Sequence, residues 1–518
     1  MSRLLRINYP LYAGIILVTG LLFIAGIGRD FAPYSITETL KTHYADGKIF
    51  TSPFPPFVST DYPLGTNQWG YDLLTLILFG IRYTILISIA VTVIKMTLGT
   101  VIGLYIGVWK KTPSWIESFE NSWSYVPLFL ILYFFFVNIN FSETIKTSSL
   151  IFYFIILTAF VSMPSIVSSV RKKTAEINKA NFIEAASVLG ANRNRIIWKH
   201  IFPQLKESLL VMFVLEIVQV ITIMGQLSLL NIFIGGTIVQ HDPLIFLSKT
   251  KELSGLVGQA RSSLFGDNLY ILFIPLISLL ITTISFSLLA NGLKNYFESN
   301  YQRTPWIKTG FEPKLMPKRK VFKVKRIKIQ QISSLRIGII LVSFILFVAL
   351  FGREFAQHLI TDTLKIEYTN GKLLAPPLPP FKSGDYPLGT NRWGYDLLTL
   401  ILFGIRYTVV IALSVTLIKM FFGTIIGLYV GTLKRTPGWI ESFENSWSYV
   451  PLFLVLYFFF VRINFNQNLE SSNLIFYFVI ITALVSMPSI ISSVRKKSTE
   501  IHKMDFIDAS HILGANRH

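Results

Sequence analysis

An all-α, polytopic membrane helical bundle is the fold class that three features of this 518-residue sequence predict. Hydrophobic residues make up 52% of it and charged residues 15%, with a mean hydropathy of +0.54, a balance that suits a membrane protein and not a soluble domain. Apolar runs of about twenty residues, each long enough to cross a hydrocarbon core, recur along the chain. Basic residues gather in alternate loops between those runs.

The same features exclude several functions. A net charge of +20 would suit nucleic acid, but the basic residues form no stripe interleaved with aromatics. The excess of positive charge on inner loops accounts for them, so no nucleic-acid partner is expected. With no cysteine in the chain, disulfides and thiolate metal sites are ruled out. The seven histidines show no ligand spacing such as H-E-x-x-H. No G-x-x-x-x-G-K-[ST] loop occurs, so nothing cradles a nucleotide. Neither a catalytic group nor a cofactor is expected in this chain.

Taken in order, Tyr9 to Ile27 follows Arg3 and Arg6 and lacks a small-residue cleavage site after it, which makes it a retained first span. Further runs lie at roughly 80–108, 118–137, 149–170, 208–234 and 269–292, giving six spans. Lys110 and Lys111, the stretch Arg171 to Lys206, and Lys294 onward place the basic loops and the N-terminus inside. Residues 28–72 then lie outside, where Ser52 to Phe57 (SPFPPF) favours an extended, polyproline-like backbone. Pro127 and Pro164 interrupt the helix ladders of the third and fourth spans and mark candidate kinks.

The chain then repeats itself. Gly28 to Asn194 aligns without a gap with Gly352 to His518, at an offset of 352 − 28 = 324, and about two-thirds of positions are identical. FENSWSYVPLF stands at Phe119 to Phe129 and again at Phe443 to Phe453. Both copies start on the same side, so the repeat is parallel. The expected domains are a complete unit over 1–300, a basic inner linker over 301–334, and a partial unit of about four spans over 335–518; the basic stretch 294–334 is read as a solvated inner segment, with attraction to anionic lipid headgroups as the alternative. The second copy reads FIDASHILGANRH at its end, with Asp508, Ala509 and Ser510 facing Glu184, Ala185 and Ala186. Such an end is expected either of a fragment of a longer fusion, the favoured reading, or of a degenerate remnant.

One inner loop stands out. NFIEAASVLGANRNRIIWKHIFPQL, Asn181 to Leu205, carries Glu184, Arg193, Arg195, Lys199 and His200 between two spans, so it lies outside hydrocarbon. Its residues predict a short helix, a turn at Gly190, and a second short amphipathic helix that Pro203 stops. Glu-Ala-Ala at 184–186, Gly190 four positions after Ala186, and Pro203 thirteen positions after Gly190 resemble the EAA loop of permease subunits in binding-protein-dependent ABC importers. His200-Ile201-Phe202-Pro203 is similar to the peptide and nickel branch, which has Leu where Phe202 stands. The resemblance implies that Glu184, Ala185, Ala186, Gly190, His200, Ile201 and Pro203 form coupling helices seated in a cytoplasmic ATPase.

The outer stretch Asp61 to Thr84 resembles the entry to the second span of the same permeases. Pro63, Leu64, Gly65, Thr66, Gly70, Asp72, Gly80 and Arg82 match, while Tyr62, Asn67 and Tyr71 depart from the branch's His, Asp and Arg. By resemblance this segment helps seat a binding protein or close an outer gate. An amphipathic helix in the outer interface is the plainer reading. Inside the spans, Lys95, its counterpart Lys419, and Glu216, with Gln219 and Gln226 on the same helix, are the polar candidates for a solute pathway. For Lys95 the bland reading is snorkelling or structural pairing.

The resemblance thus implies a plasma-membrane permease for peptides or a similar small solute, with ATP bound by partner subunits. Its partners would be cytoplasmic ATPases, a second permease subunit, an extracellular solute-binding protein and membrane lipid. Two readings of other classes stay open at this point: an ATP-independent secondary transporter, and a degenerate membrane anchor or regulatory protein.

Overall fold

A computed structural model describes residues 8–301 apart from 41–42, 46–47, 110–111, 143 and 242–243, and residues 329–432 apart from 365–366 and 370–371. It also describes 440, 444, 447, 452, 455–457, 459–460 and 470–502. Arg3, Arg6, Lys110, Lys111, the linker over 302–328 and the second loop with Asp508, Ala509, Ser510 and Gly514 lie outside the described residues. The chain divides into two compact units, Met1–Lys308 with Pro437–Phe465, and Thr309–Thr436 with Asn466–His518. Among the described residues eight helices are long and apolar enough to cross a membrane, or nine if a bent pair counts as one span.

In the first unit α1 (Tyr9–Ile27) starts at Asn8, whose side chain accepts from Leu11 N and donates to Gly292 O at 2.8 Å. It packs on α10 (Tyr270–Tyr301) at a crossing that admits no side chain: a Cβ on Gly14 would lie 2.5 Å from Leu289 Cα. Small residues let helix backbones approach where lipid supplies no hydrophobic drive. The same device joins α2 (Leu73–Gly107) to α5 (Thr147–Ile177). Gly99, Gly103 and Gly107 form a ridge at four-residue spacing, against Ile166, Val170 and Thr174.

The predicted third span is not one straight helix. α3 (Ser114–Trp123) and α4 (Leu128–Asn140) meet at 74° around Pro127, which lacks an N–H and begins the new helix. α3 is amphipathic: Trp115 and Phe119 are exposed, while Glu120 is buried in a bidentate pair with Arg171 of α5 (2.8 and 2.7 Å). Trp123 Nε1 also donates to Val161 O at 3.1 Å. Pro164, by contrast, sits inside an uninterrupted α5.

After α5 come α6 (Asn181–Val188), the single turn α7 (Arg193–Arg195), a π-helical stretch over Ile196–Ile201, and α8 (Phe202–Leu229). Between α8 and α10 the chain forms a hairpin, β3 (Thr237–His241) with β4 (Leu244–Ser248), in the register Thr237↔Ser248, and then the short α9 (Leu253–Gln259). A second hairpin, β1 (His43–Ala45) with β2 (Lys48–Phe50), lies in the outer segment, and the stretch expected to be extended bends at Ser52 and Pro53 and turns at Pro56 and Phe57.

The second unit holds α11 (Ile329–Phe351), the hairpin β5 (Glu367–Thr369) with β6 (Lys372–Leu374), α12 (Leu397–Gly431) and α13 (Ser471–His502). Gly423, Gly427 and Gly431 of α12 meet Ile490, Val494 and Ser498 of α13, the α2–α5 ridge displaced by 324 residues.

Candidate functional site

The Asn181–Leu205 segment is built by backbone hydrogen bonds, not by packing alone. At the end of α6, Gly190 N donates to Ser187 O and Ala191 N to Ala186 O, the double closure that ends a helix through a left-handed residue. Gly190 is that residue, at φ +83°. Asn192 restarts the chain, its side chain accepting from Arg195 N at 2.9 Å. Sequence reasoning missed this cap, although an Asn just ahead of an apolar-periodic run is the usual signal.

The predicted second short helix is corrected in one respect. Pro203 does not stop it: helix runs without a break from Arg193 to Leu229, so the loop passes straight into the fifth span. Upstream of Pro203 the ladder widens, with Phe202 N donating to Ile197 O five residues back. A wider turn accommodates a residue that has no N–H and whose ring crowds the preceding carbonyls.

One face of the segment is anchored. Ile183 of α6, Ile196, Ile197 and Ile201 of the π stretch and Leu205 of α8 are buried in one cluster with Met96 and Leu104 of α2 and Ile166 and Val170 of α5. Ile201 is thus a core residue and His200 is half-buried. Glu184 and Ala185 lie exposed, Ala186 is half-covered, and Pro203 is exposed. At the tip, Val188 and Leu189 are 83% and 87% accessible. Two adjacent aliphatic side chains exposed at a loop tip leave apolar surface uncovered, whose burial would be favourable. Beside this segment a cavity of about 850 Å³ opens among α5, α8 and α10, lined in part by Lys173, Glu176, Gln204, Glu207 and Lys294.

The outer-segment residues do different work. Gly65 and Gly70 both have positive φ, and a Cβ on either would fall within 2.5 Å of a carbonyl oxygen, Phe54 O or Leu40 O. Thr66 Oγ1 accepts from Phe54 N at 2.8 Å, and Asn67 Oδ1 accepts from both Trp69 N and Tyr71 N. Pro63 lies half-buried in the same fold-back, with its carbonyl accepting from Phe57 N. Asp72 caps α2, accepting from Thr75 N and Oγ1 at 2.8 and 2.7 Å. The second unit repeats this buckle at Gly389, Thr390, Gly394 and Asp396. Where Tyr62 departs from the family's His, it stacks on Tyr34 at 4.8 Å, and burial with the Tyr62 hydroxyl raises the Tyr34 pKa. Lys251, ahead of α9, lies over the Tyr71 ring and donates to Ile36 O at 2.8 Å, with burial lowering its pKa to about 8. It ties the segment to the chain that follows α8. Arg82, half-buried, lies nearly three turns inside α2.

Asp72→Ala removes a cap from a buried position, a loss of roughly 1–2 kcal/mol. Both membrane abundance and thermal midpoint should fall, while Asp72→Asn, which keeps an acceptor oxygen, should hold both near wild type. A drop in uptake by Asp72→Asn at unchanged abundance would assign the carboxylate a role beyond the cap; equal abundance for Asp72→Ala would remove the cap argument.

Lys95 and Glu216 are brought together. Lys95 is fully buried on α2, Glu216 is 7% accessible on α8, and the ammonium pairs with the carboxylate across the helices. Sequence reasoning singled out both but not their pairing. Gln219 faces away and is exposed. The outer buckle and the Asn181–Leu205 segment are not brought together: they sit toward opposite ends of α2, a helix of 35 residues that is roughly 50 Å long.

Comparison with known proteins gives this architecture its context. Residues 96–303 match the family described as binding-protein-dependent transport system inner membrane component. The oligopeptide transport system permease protein OppC of Mycobacterium bovis is 28% identical over 202 residues, 38% of this chain and 66% of the relative. The glutathione transport system permease protein GsiD of Pectobacterium atrosepticum is 24% identical over 239 residues, 46% of this chain and 72% of the relative. The inner membrane ABC transporter permease protein YejE of Escherichia coli is 29% identical over 153 residues, 29% of this chain and 42% of the relative.

Proposed function

Given that this chain is a multi-pass membrane permease of the binding-protein-dependent transport family, we propose that it imports peptides with energy from a separate cytoplasmic ATPase. The observation that carries the reading is the Asn181–Leu205 segment, anchored on one face and presenting Val188 and Leu189 on the other. The peptide class rests on the printed names of the relatives, which include oligopeptide and glutathione systems. A second permease subunit and an extracellular binding protein complete the proposed assembly, and ATP is bound by the ATPase, not by this chain. The chain itself acts as a transport component and not as an enzyme.

The proposed stroke follows from the packing. ATPase closure displaces the exposed tip, and Ile183 passes the displacement into the cluster around Ile197 and Ile201. Those residues run directly into α8, so a shift of α6 moves the fifth span as a rigid body. The Lys95–Glu216 pair and the apolar contacts beside it oblige α2 to follow. The cavity among α5, α8 and α10 is the proposed inner mouth of the path.

A tagged chain purified from native membranes should bring with it a P-loop ATPase, and deleting the gene should abolish uptake of radiolabelled peptide. Recovery without any ATPase, together with unchanged uptake, would defeat the proposal. Orientation is tested separately in this cysteine-free chain: Ser59→Cys should react with an impermeant maleimide in intact cells. Labelling only after the cells are opened would invert the map.

A further inference from the structure

The cavity of the first unit is lined by both signs of charge. In that unit α5 packs along α2, whereas α10 packs along α1 and α8, and the cavity of about 850 Å³ opens in the seam between α5 and the α8–α10 pair. It lies at the end of the bundle that carries the Asn181–Leu205 segment. Along α8 its lining runs from Gln204 to Leu215, a separation of 215 − 204 = 11 residues, or roughly 16 Å of helix. That is the reach of about four or five residues of extended peptide.

Exposed Lys173, Glu176 and Lys294, with half-buried Glu207, give the cavity two ammonium and two carboxylate groups drawn from three helices. The two signs balance. Lys173 reaches across the seam to Ser208 Oγ of α8, while Oε2 of Glu207 is shut off from water and has no hydrogen-bond partner among the described residues. An acceptor in that state calls for a donor, because leaving it unpaired costs free energy. The rest of the wall is of another kind: Val211, Met212, Leu215 and Phe297 are half-buried and present no charge. An unbranched thioether refits itself to differing shapes, so this surface reads no particular side chain.

We propose that this cavity holds a short peptide by its two free ends, the α-ammonium on Glu207 and Glu176, the α-carboxylate on Lys294 and Lys173, and the side chains against the apolar wall. The inference rests on the peptide-import reading and gives the peptide a binding site on this chain. A molecule with one positive end, one negative end and side chains of no fixed kind meets all three features of the cavity at once. A metal cation would use the carboxylates alone, and a small anion the lysines alone. Neither uses the apolar wall. Charges at the ends fix orientation and limit length, and an adaptable wall leaves the sequence between them free, which is how a polar frame combines with a promiscuous surface.

Equilibrium binding of radiolabelled trileucine to the full chain in phosphatidylcholine nanodiscs is the test. Binding should saturate, and N-acetyl-trileucine and trileucine amide should each bind at least tenfold more weakly. Glu207→Gln should remove most of the penalty for the N-acetyl cap and keep the penalty for the amide; Lys294→Gln should do the reverse. This crossed pattern separates recognition of the ends from a general loss of fold, which would weaken all three ligands alike. Equal binding of free and capped peptides by the unaltered chain, or no saturable binding, would overturn the proposal whatever the variants do, and equal loss of all three ligands in both variants would overturn the assignment of the ends to Glu207 and Lys294. Displacement of trileucine by phosphatidylethanolamine would give the cavity to a lipid headgroup and overturn the peptide as its occupant. The transport reading is judged apart: uptake lost on gene deletion, with no discrimination of ends by the purified chain, would overturn the site and keep that reading, whereas discrimination of ends with uptake unaffected by deletion would do the opposite.

Discussion

Either Lys95→Met or Glu216→Ala alone should leave little folded protein in the membrane. Removing one member of a buried ion pair strands the other charge, at a cost of about 3–5 kcal/mol, against a total stability on the order of 5–15 kcal/mol. The stranded group lies buried between α2 and α8. The double change Lys95→Met with Glu216→Met replaces both charges by apolar groups of similar length and should recover abundance, because apolar contacts replace the pair. Membrane abundance and thermal midpoint in detergent are the measurements. Wild-type values for Lys95→Met would show that the pair contributes nothing. If the double variant folds but transports poorly, the charges serve the solute path as well as the fold.

Gly190→Val should abolish transport while leaving insertion and abundance intact. No atom lies within 4 Å of a Cβ built on Gly190, so the substitution meets no clash. Its whole effect is conformational: a β-branched residue at φ +83° costs at least about 1–2 kcal/mol. The chain relieves the strain by abandoning the Ala191 to Ala186 closure, which swings the tip with Val188 and Leu189 away from its docking geometry. Gly190→Asn, which tolerates a left-handed backbone, should retain much of the activity. Uptake and ATPase co-purification in parallel test this. Full transport by Gly190→Val would show that the turn is not part of coupling.

Gly190 was legible because a small set of residues end helices this way, and the spans were legible because hydrocarbon tolerates only continuous apolar helix. Pro203 misled for an instructive reason. In isolation Pro breaks a helix, but a widened turn one step upstream absorbs it, and nothing in the order of residues announces a π turn. The Lys95–Glu216 pair joins residues 121 apart, and separation of that kind is invisible to any periodicity. α9 was missed because Ser254, Gly255 and Gly258 give it neither helix propensity nor an apolar stripe. Tertiary burial holds it, through Leu253, Leu256 and Val257. Arg171 looked like an ordinary inner-loop charge until α3, folded back along α5, brought Glu120 to it.

The paired glycine ridges have a consequence for biogenesis. Gly99, Gly103 and Gly107 seat Ile166, Val170 and Thr174, and Gly423, Gly427 and Gly431 seat Ile490, Val494 and Ser498, in the same register and at nearly the same distances. Each ridge therefore fits the other's mate, and a ribosome releasing this chain makes two interchangeable locks and two interchangeable keys. Order of synthesis resolves the ambiguity: α5 emerges some 220 residues before α12, so the first lock closes while its competitor is still unmade. Slowing closure of the first pair would forfeit that head start, and the misassembled species would hold a correctly shaped seam between the wrong copies.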